Sequence, residues 1–319
     1  MAYGQSGHLA LTFQQSFGTS LTASPFFIPL ISETVGEKIA QITETSMYAR
    51  LGEAPYHEGA HEVDGEIRTE AHPVYVGTLL KAALGQAATT AQGSAFRHEF
   101  LPLGADWDPF AAVPPFTLEI HRDAGSAFLY YDMAATGLAF EIAHGQLLAA
   151  TLTTVGGRFA RKAPATPAFR AGRPWTWNVA SASYDGQGLA DLRQLSLTFD
   201  NQLAAQFTLS GEKTPRRIQR DGPQTVAVEG SLLFQDQAHF DQFLAQSERR
   251  LLLAFTGETV ATSYAAQLTL DVPRLRLTEF TPQLSGPGPL EVSFSGRGMV
   301  DPASGYALRA TLTNTQAAY

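Results

Sequence analysis

His57-Glu58-Gly59-Ala60-His61 is the stretch of this sequence that spells a catalytic motif: two imidazoles four residues apart, with a carboxylate beside the first. On a helix that spacing holds zinc on one face and presents the glutamate as general base. The helix is what the local sequence withholds. Pro55 precedes the motif, Gly59 lies inside it, and the alternation of a strand begins at Val63, so the motif lacks the context that gives it meaning. A zinc hydrolase built on His57, Glu58 and His61 is therefore an alternative to be tested by position. Paired carboxylates at Asp106 and Asp108, or at Glu66 and Glu70, read as solvated pairs. Trp107, Trp175 and Trp177 offer flat apolar faces for sugars or bases, or anchors for a core or an interface. The chain has no cysteine, which excludes thiolate catalysis, Cys-ligated zinc and disulfides and fits folding inside a cell. No G-x-S-x-G elbow, P-loop or G-x-G-x-x-G follows a strand.

Charge narrows the partners. The net charge is −8 and the pI near 5.5, with base concentrated only at Arg158–Lys162, Arg216–Arg220 and Arg249–Arg250. A protein that grips phosphates needs a basic stripe, so tight nucleic-acid binding is disfavoured, while an acidic wall past which nucleic acid slides is compatible. Only 16% of residues are charged, against about 25% in average soluble proteins. Thr, Ser, Gln and Ala fill the difference, as on a β-rich surface or one covered by neighbouring subunits. Lys38 is the first basic residue and no apolar run reaches membrane-spanning length, so neither a signal peptide nor a transmembrane helix is expected.

The elements that must position these residues are mostly strands. Leu290, Val292 and Phe294 alternate with Glu291, Ser293 and Ser295, and Leu308, Ala310 and Leu312 repeat that period. In the first half strands are expected around Leu9–Phe13, Phe26–Ile31, Val63–Thr69, Phe96–Leu101, Thr117–His121, Ala127–Tyr131, Leu138–Ile142 and Leu147–Val155. Pro73–Leu84 reads as a helix closed by Gly85. Glu33–His61 lacks periodicity and reads as a long loop with a purpose. Arg161–Pro174 reads as a linker. The second half predicts strands at Leu192–Asp200, Gln202–Leu209, Thr225–Phe234, Arg250–Thr256, Ala265–Val272, Arg274–Thr281, Leu290–Arg297 and Ala307–Thr313. A polar loop at Gly211–Gln224 and a short helix at Gln237–Gln246 complete it. The order of elements replays, with Val63-Asp64-Gly65-Glu66-Ile67 set against Val228-Glu229-Gly230-Ser231-Leu232, and internal duplication is the simplest account.

Several short stretches also resemble a known family. Gln15-Ser16-Phe17-Gly18-Thr19, Phe27-Ile28-Pro29-Leu30, Ser32-Glu33 and Leu79-Leu80-Lys81-Ala82-Ala83-Leu84-Gly85 open the likeness. Leu270-Asp271-Val272-Pro273-Arg274-Leu275-Arg276-Leu277-Thr278-Glu279, Ser285-Gly286-Pro287-Gly288-Pro289-Leu290-Glu291 and Leu312-Thr313-Asn314-Thr315 close it. In that order they are similar to the two-module tail tube proteins of long-tailed, non-contractile bacteriophages; Trp107 and the HEGAH stretch lie outside the likeness.

The resemblance implies a mainly β chain of two tandem β-sandwich or barrel modules, each with one flanking helix. Their bounds would be 1–165, with an N-terminal arm and the 33–61 loop, a linker at 166–176, and 177–319. It implies a structural virion protein, without catalysis or cofactor, assembled in the host cytoplasm and placed in the phage tail. Rings would close as pseudo-hexameric trimers, or alternatively as hexamers, and stack into a tube that double-stranded DNA traverses during ejection. Tape-measure, tail terminator and distal tail proteins are the implied partners, and a membrane is not. The loops are candidates for ring stacking through Glu33, Glu37, Glu44 and Glu53 facing Arg216, Arg217 and Arg220. Glu66, Glu70, Glu229 and Glu291 are candidates for the lumen wall. The alternative from another class is a β-sandwich module that recognises carbohydrates or surfaces through its tryptophans.

Overall fold

The computed structural model describes residues 4–18, 26–46, 52–53, 55–103, 113–235, 237–261, 264–282 and 287–319. The first half runs β1 (His8–Phe13), β2 (Phe26–Ile28), β3 (Ser32–Glu33), β4 (Gly36–Thr43), β5 (Tyr56–Glu70), α1 (Val76–Leu84), β6 (Gly85–Gln92), β7 (Ala95–Pro102), β8 (Phe116–His121), β9 (Ala127–Ala143), β10 (Ala149–Gly156) and β11 (Arg158–Lys162). The second runs β12 (Ala180–Tyr184), β13 (Gln187–Gly188), β14 (Leu192–Asp200), β15 (Leu203–Gln206), β16 (Arg217–Arg220), β17 (Thr225–Leu233), α2 (Ala238–Leu244), β18 (Glu248–Ala261), β19 (Tyr264–Pro282), β20 (Glu291–Met299) and β21 (Arg309–Asn314). The protein is mainly β.

One long strand organises each half by changing its ladder partners along its length. The N-terminal part of β9 lies between β8 and β11, and its C-terminal part between β10 and β14. Between the two, Asp132 takes a left-handed conformation (φ 59), which aspartate tolerates better than most residues. The β9–β10 ladder then skips Thr136, a bulge of the kind that bends a strand. In the other half β19 lies first between β18 and β21, then along β20, and its ladder skips Thr278. The flanking pairs recur as well: β1 runs against β8 and turns back as β2, as β12 runs against β18 and turns back as β13. β5 pairs with β10 as β17 pairs with β20. These ladders superpose Glu66 on Glu229, two residues away from the Gly65-on-Gly230 match that the sequence suggests.

Among the described residues, two strand ladders join the halves. β9 pairs with β14, and β7 lies along β21. β7 belongs to a hairpin, closed through Gly93 (φ 65), that has no counterpart between α2 and β18. Ile67, Leu152, Phe140, Leu197 and Phe199 bury one face of the long sheet against Leu9, Leu118 and Tyr130 and the helix α1. Apart from Lys81, α1 is buried on every side, as expected of a helix inside a core. Gly77 lets the Tyr319 ring lie on it, and the Tyr319 hydroxyl donates to the Val74 carbonyl at 2.8 Å. α2 has no buried residue and sits on the surface.

The expected loop at Glu33–His61 is a β-hairpin, formed by β4 and the first part of β5. Its strands bury little on either face, so the apolar period that betrays a strand is absent although the hydrogen-bond ladder is present. The expected loop at Gly211–Gln224 likewise contains β16, which pairs with β15 in a separate two-stranded sheet. Ala127–Tyr131 and Leu138–Ile142 are one strand, as are Ala265–Val272 and Arg274–Thr281. The helix expected from Pro73 begins at Val76, and β6 and β11 were not anticipated. Arg161 and Lys162 close β11, and the chain from Ala163 to Pro174 has no regular structure yet is tied down. The Ala165 N–H donates to Glu119 Oε1 at 2.7 Å, and the Tyr75 hydroxyl donates to the Arg170 carbonyl at 2.8 Å. Trp107, Asp106 and Asp108 lie outside the described residues.

Candidate functional site

The histidine motif is strand. His57 Nε2 lies 2.9 Å from Glu44 Oε1, and His61 Nε2 2.5 Å from Glu58 Oε1, whose second oxygen takes Lys213. The two imidazoles engage separate carboxylates on an exposed hairpin, so the helical face the zinc chemistry requires does not form. Ion pairing with Lys213, then His61, holds the Glu58 carboxyl below its usual range. Among the described residues no group of three His, Asp or Glu side chains is arranged to hold a metal. Trp175 is a core anchor, 1% exposed, with its indole N–H on the Ala266 carbonyl at 3.3 Å. Trp177 is 43% exposed and lies against His144, ring centres 4.3 Å apart.

The feature that unites the candidate residues is a face of the long sheet. Through the β9–β14 joint, β3 and β4, then β5, β10, β9, β14, β17, β20 and the end of β19 run side by side without interruption. Apart from Leu233, opposite Glu291, the side chains that alternate away from the core are polar or small across this span. β5 presents Asp64, Glu66, Arg68 and Glu70, and β10 presents Ala149, Thr151 and Thr153. Gly137, Ala139 and Glu141 follow on β9, then Ser196, Thr198 and Asp200 on β14. Ala227, Glu229 and Ser231 on β17 face the same way as Glu291, Ser293, Ser295 and Arg297 on β20, and as Arg276, Glu279 and Thr281 on β19.

Contacts along the face fix this phase independently. Arg68 Nη2 reaches Glu141 Oε2 across β10 at 3.0 Å, and the Ser231 hydroxyl donates to Glu291 Oε1 at 2.6 Å. Glu66, Glu70, Glu229 and Glu291 therefore share one surface, together with Asp64, Glu141, Asp200 and Glu279, which the sequence reading did not single out. Three guanidinium groups, Arg68, Arg276 and Arg297, and the Lys38 ammonium beside Glu62 stand among these carboxylates, and among the described residues of this face there is no aromatic ring. The surface is acidic, fine-grained and without stacking platforms.

The two hairpins leave this sheet at the same end, where Asp64, Asp200 and Thr225 lie. They touch each other: the His61 N–H donates to the Lys213 carbonyl at 2.8 Å. Ile39, Ile42 and Tyr56 on one, and Phe207 and Leu209 beside the other, are large apolar side chains left exposed. Of the charged candidates here, Glu33 receives a two-pronged hydrogen bond from Arg122 at 2.7 and 2.9 Å, and Arg220 donates to the Leu103 carbonyl at 2.8 Å. Glu44 holds His57, while Glu37, Glu53, Arg216 and Arg217 are exposed.

A protein-family model described as phage tail tube protein matches residues 4–298. A search of curated proteins finds no match.

Proposed function

Because this chain belongs to the phage tail tube protein family, a structural family of the virion tail that assembles into a tube, we propose that it is a tandem pair of tube modules, three copies of which close into a ring. The observation that carries this reading is the continuous sheet, which presents a polar, carboxylate-rich face over eight strand positions and, among the described residues, ends in an open edge on each side. The recurrent pairing pattern supports the tandem modules, and a ring of three duplicated chains has pseudo-sixfold symmetry. Closure removes the unpaired edges that would otherwise template aggregation. Strand arithmetic favours three copies over six. With strands about 4.8 Å apart and tilted about 40°, twenty-four of them enclose a barrel roughly 50 Å across at the backbone, and twice that number a barrel twice as wide.

The polar face is then the lumen wall of a non-contractile tail. Its excess of carboxylates repels the phosphates of double-stranded DNA and offers no basic stripe or aromatic step to hold it during ejection. Rings stack by the paired hairpins, whose exposed Ile42, Tyr56, Phe207 and Leu209, with Glu53, Arg216 and Arg217, reach the next ring, Glu37 and Ile39 standing nearer the base of the first hairpin. Tape-measure, terminator and distal tail proteins complete the assembly, and the chain acts in the virion without catalysing a reaction.

Electron microscopy of the purified protein at rising concentration tests the reading, with hollow, threefold-symmetric rings and tubes expected; a monomer at every concentration overturns it. Replacing Glu66, Glu229 and Glu291 with Lys is expected to leave tubes intact and slow DNA release, and unchanged ejection kinetics would remove the electrostatic role of the wall.

A further inference from the structure

We propose that neighbouring copies join through Gly36–Ile39 of one and Thr278–Thr281 of the next, antiparallel, with Lys38 opposite Glu279 and Gly36 opposite Thr281. The proposal rests on the ring reading above and supplies its register. Among the described residues, the outer edges of β4 and of the end of β19 have no ladder partner.

The template lies inside the chain. At the β9–β14 joint, Gly137 stands opposite Asp200 and Ala139 opposite Thr198. The bulge at Thr136 falls between pairs Gly137–Thr153 and Ala135–Thr154, and the bulge at Thr278 between pairs Glu279–Ser295 and Leu277–Gly296. Gly137 therefore corresponds to Glu279. Thr153 stands opposite Glu66 and Ser295 opposite Glu229, so Glu66 corresponds to Glu229. Glu229 pairs with Ser196, and Glu66 exchanges hydrogen bonds with Thr34, whose N–H donates to the Glu66 carbonyl at 2.9 Å. Ser196 thus corresponds to Thr34 and, four residues on, Asp200 to Lys38. The internal pair Gly137–Asp200 becomes the external pair Glu279–Lys38.

Chemistry that played no part in this derivation agrees with it. The register brings a cation and an anion face to face on the polar surface, where Lys38 already lies beside Asp64 and Glu62. At the internal joint the Asn201 N–H donates to the Thr136 carbonyl at 2.7 Å, and the His144 N–H to the Arg193 carbonyl at 3.0 Å. Hydrogen-bonded pairs therefore alternate with Gly137–Asp200 and Ala139–Thr198. Lys38–Glu279 and Gly36–Thr281 inherit the non-bonded positions, where side chains approach closest. The Ile39 N–H inherits the Thr278 carbonyl. Pro282 falls opposite Val35 and has no N–H to give; the Val35 carbonyl is the one that Arg122 Nη2 already satisfies at 2.6 Å, and Glu33 accepts the Val35 N–H at 3.0 Å.

The absence of native cysteine makes the register readable by cross-linking, and a Cβ added at Gly36 meets nothing closer than 4.0 Å. Oxidised tubes of the Gly36→Cys, Thr281→Cys double variant are expected to run as dimers and closed trimers on a non-reducing denaturing gel. If tubes form and the offset pair Lys38→Cys with Thr281→Cys cross-links in its place, the register is overturned and the ring reading survives. A chain that forms neither rings nor cross-links overturns both. Lys38→Glu gives a second readout free of cysteines: it is expected to raise the critical concentration for assembly about threefold to fivefold, with Glu279→Lys in the same chain restoring it. Failure of the second change to rescue counts against the pair.

Discussion

The two halves of the chain share a strand-pairing plan and differ in what covers it. In the first half α1 lies inside, beneath the β6–β7 hairpin and the Tyr319 ring; in the second α2 has no buried residue. The inserted hairpin also decides an edge. β7 occupies the outer side of β21, whereas β11, in the corresponding place, pairs among the described residues only with β9. The plan itself is thus held by its sheets and tolerates a helix either way, while the insertion concentrates buried structure in the first half. Both of these partner-switching strands also carry a buried aspartate near the switch, Asp132 in β9 and Asp271 in β19, each held by an arginine of the last strand of its half.

These aspartates give the sharpest break between the halves. Asp271 receives Arg250 at 2.7 and 3.0 Å, Arg309 at 2.9 Å and the Tyr306 hydroxyl at 3.1 Å. Arg250→Ala with Arg309→Ala leaves a buried carboxylate without its cations and is expected to lower stability by about 3–5 kcal/mol, most of it recovered by adding Asp271→Leu. Asp132 keeps the Gln14 amide at 2.9 Å and the Gly18 N–H at 2.7 Å when Arg158 is removed. Arg158→Ala should therefore cost only about 1–3 kcal/mol. Urea midpoints measure both, and equal losses would mean that the two switches do not depend on their charges differently.

The helices give a smaller contrast. A Cβ at Gly77 would lie 2.2 Å from the Tyr319 ring, so Gly77→Ala is expected to destabilise by about 1–3 kcal/mol, with Tyr319→Ala in the same chain relieving the collision. On α2, Leu244 is exposed and Leu244→Ala should stay within about 0.5 kcal/mol. Thermal unfolding of the variants separates the two, and a large loss at Leu244 would show that α2 is packed in solution.

What could be read in the sequence follows the same line between covered and uncovered. β14, β17 and β20 were legible because one face of each is buried and the other polar, which writes a period of two into the residues. β4, β6 and β11 bury little on either face, and only their ladders make them strands, so composition carried no trace of them. Glu66, Glu70, Glu229 and Glu291 could be picked as outward alternates, but that they share a surface depends on the β9–β14 joint, which brings together residues some sixty positions apart. Glu141 and Asp200 carried the same signal, alternating with Leu138, Phe140 and Ile142 and with Leu195, Leu197 and Phe199. Glu279 was obscured by the bulge at Thr278, which shifts the phase of the strand by one residue.

Acid should test the comparison with the least force and the most spatial detail. His8, His72 and His98, all within the first half of the sequence, are held below the ordinary imidazole value of 6.5, in each case chiefly by burial. For His8 the neighbouring His121 adds to the effect and Glu119 opposes it. His98 lies between Thr89 Oγ1 at 2.9 Å and Asn314 Oδ1 at 3.1 Å, so its ring is held at the seam between the β6–β7 hairpin and β21. A lowered folded pKa means that the unfolded chain takes up the proton first. The stability these groups contribute is whole above about 6.5 and is lost as pH falls through their lowered values. Hydrogen exchange at pH 7.5 and pH 5.0, corrected for the intrinsic rate, is expected to show protection falling in β1, α1 and β7 ahead of β17 and β20. His98→Gln should flatten the response at β7 and leave that at β1 in place. A uniform loss across both halves would instead make the chain a single cooperative unit in which the inserted hairpin has no separate acid sensitivity.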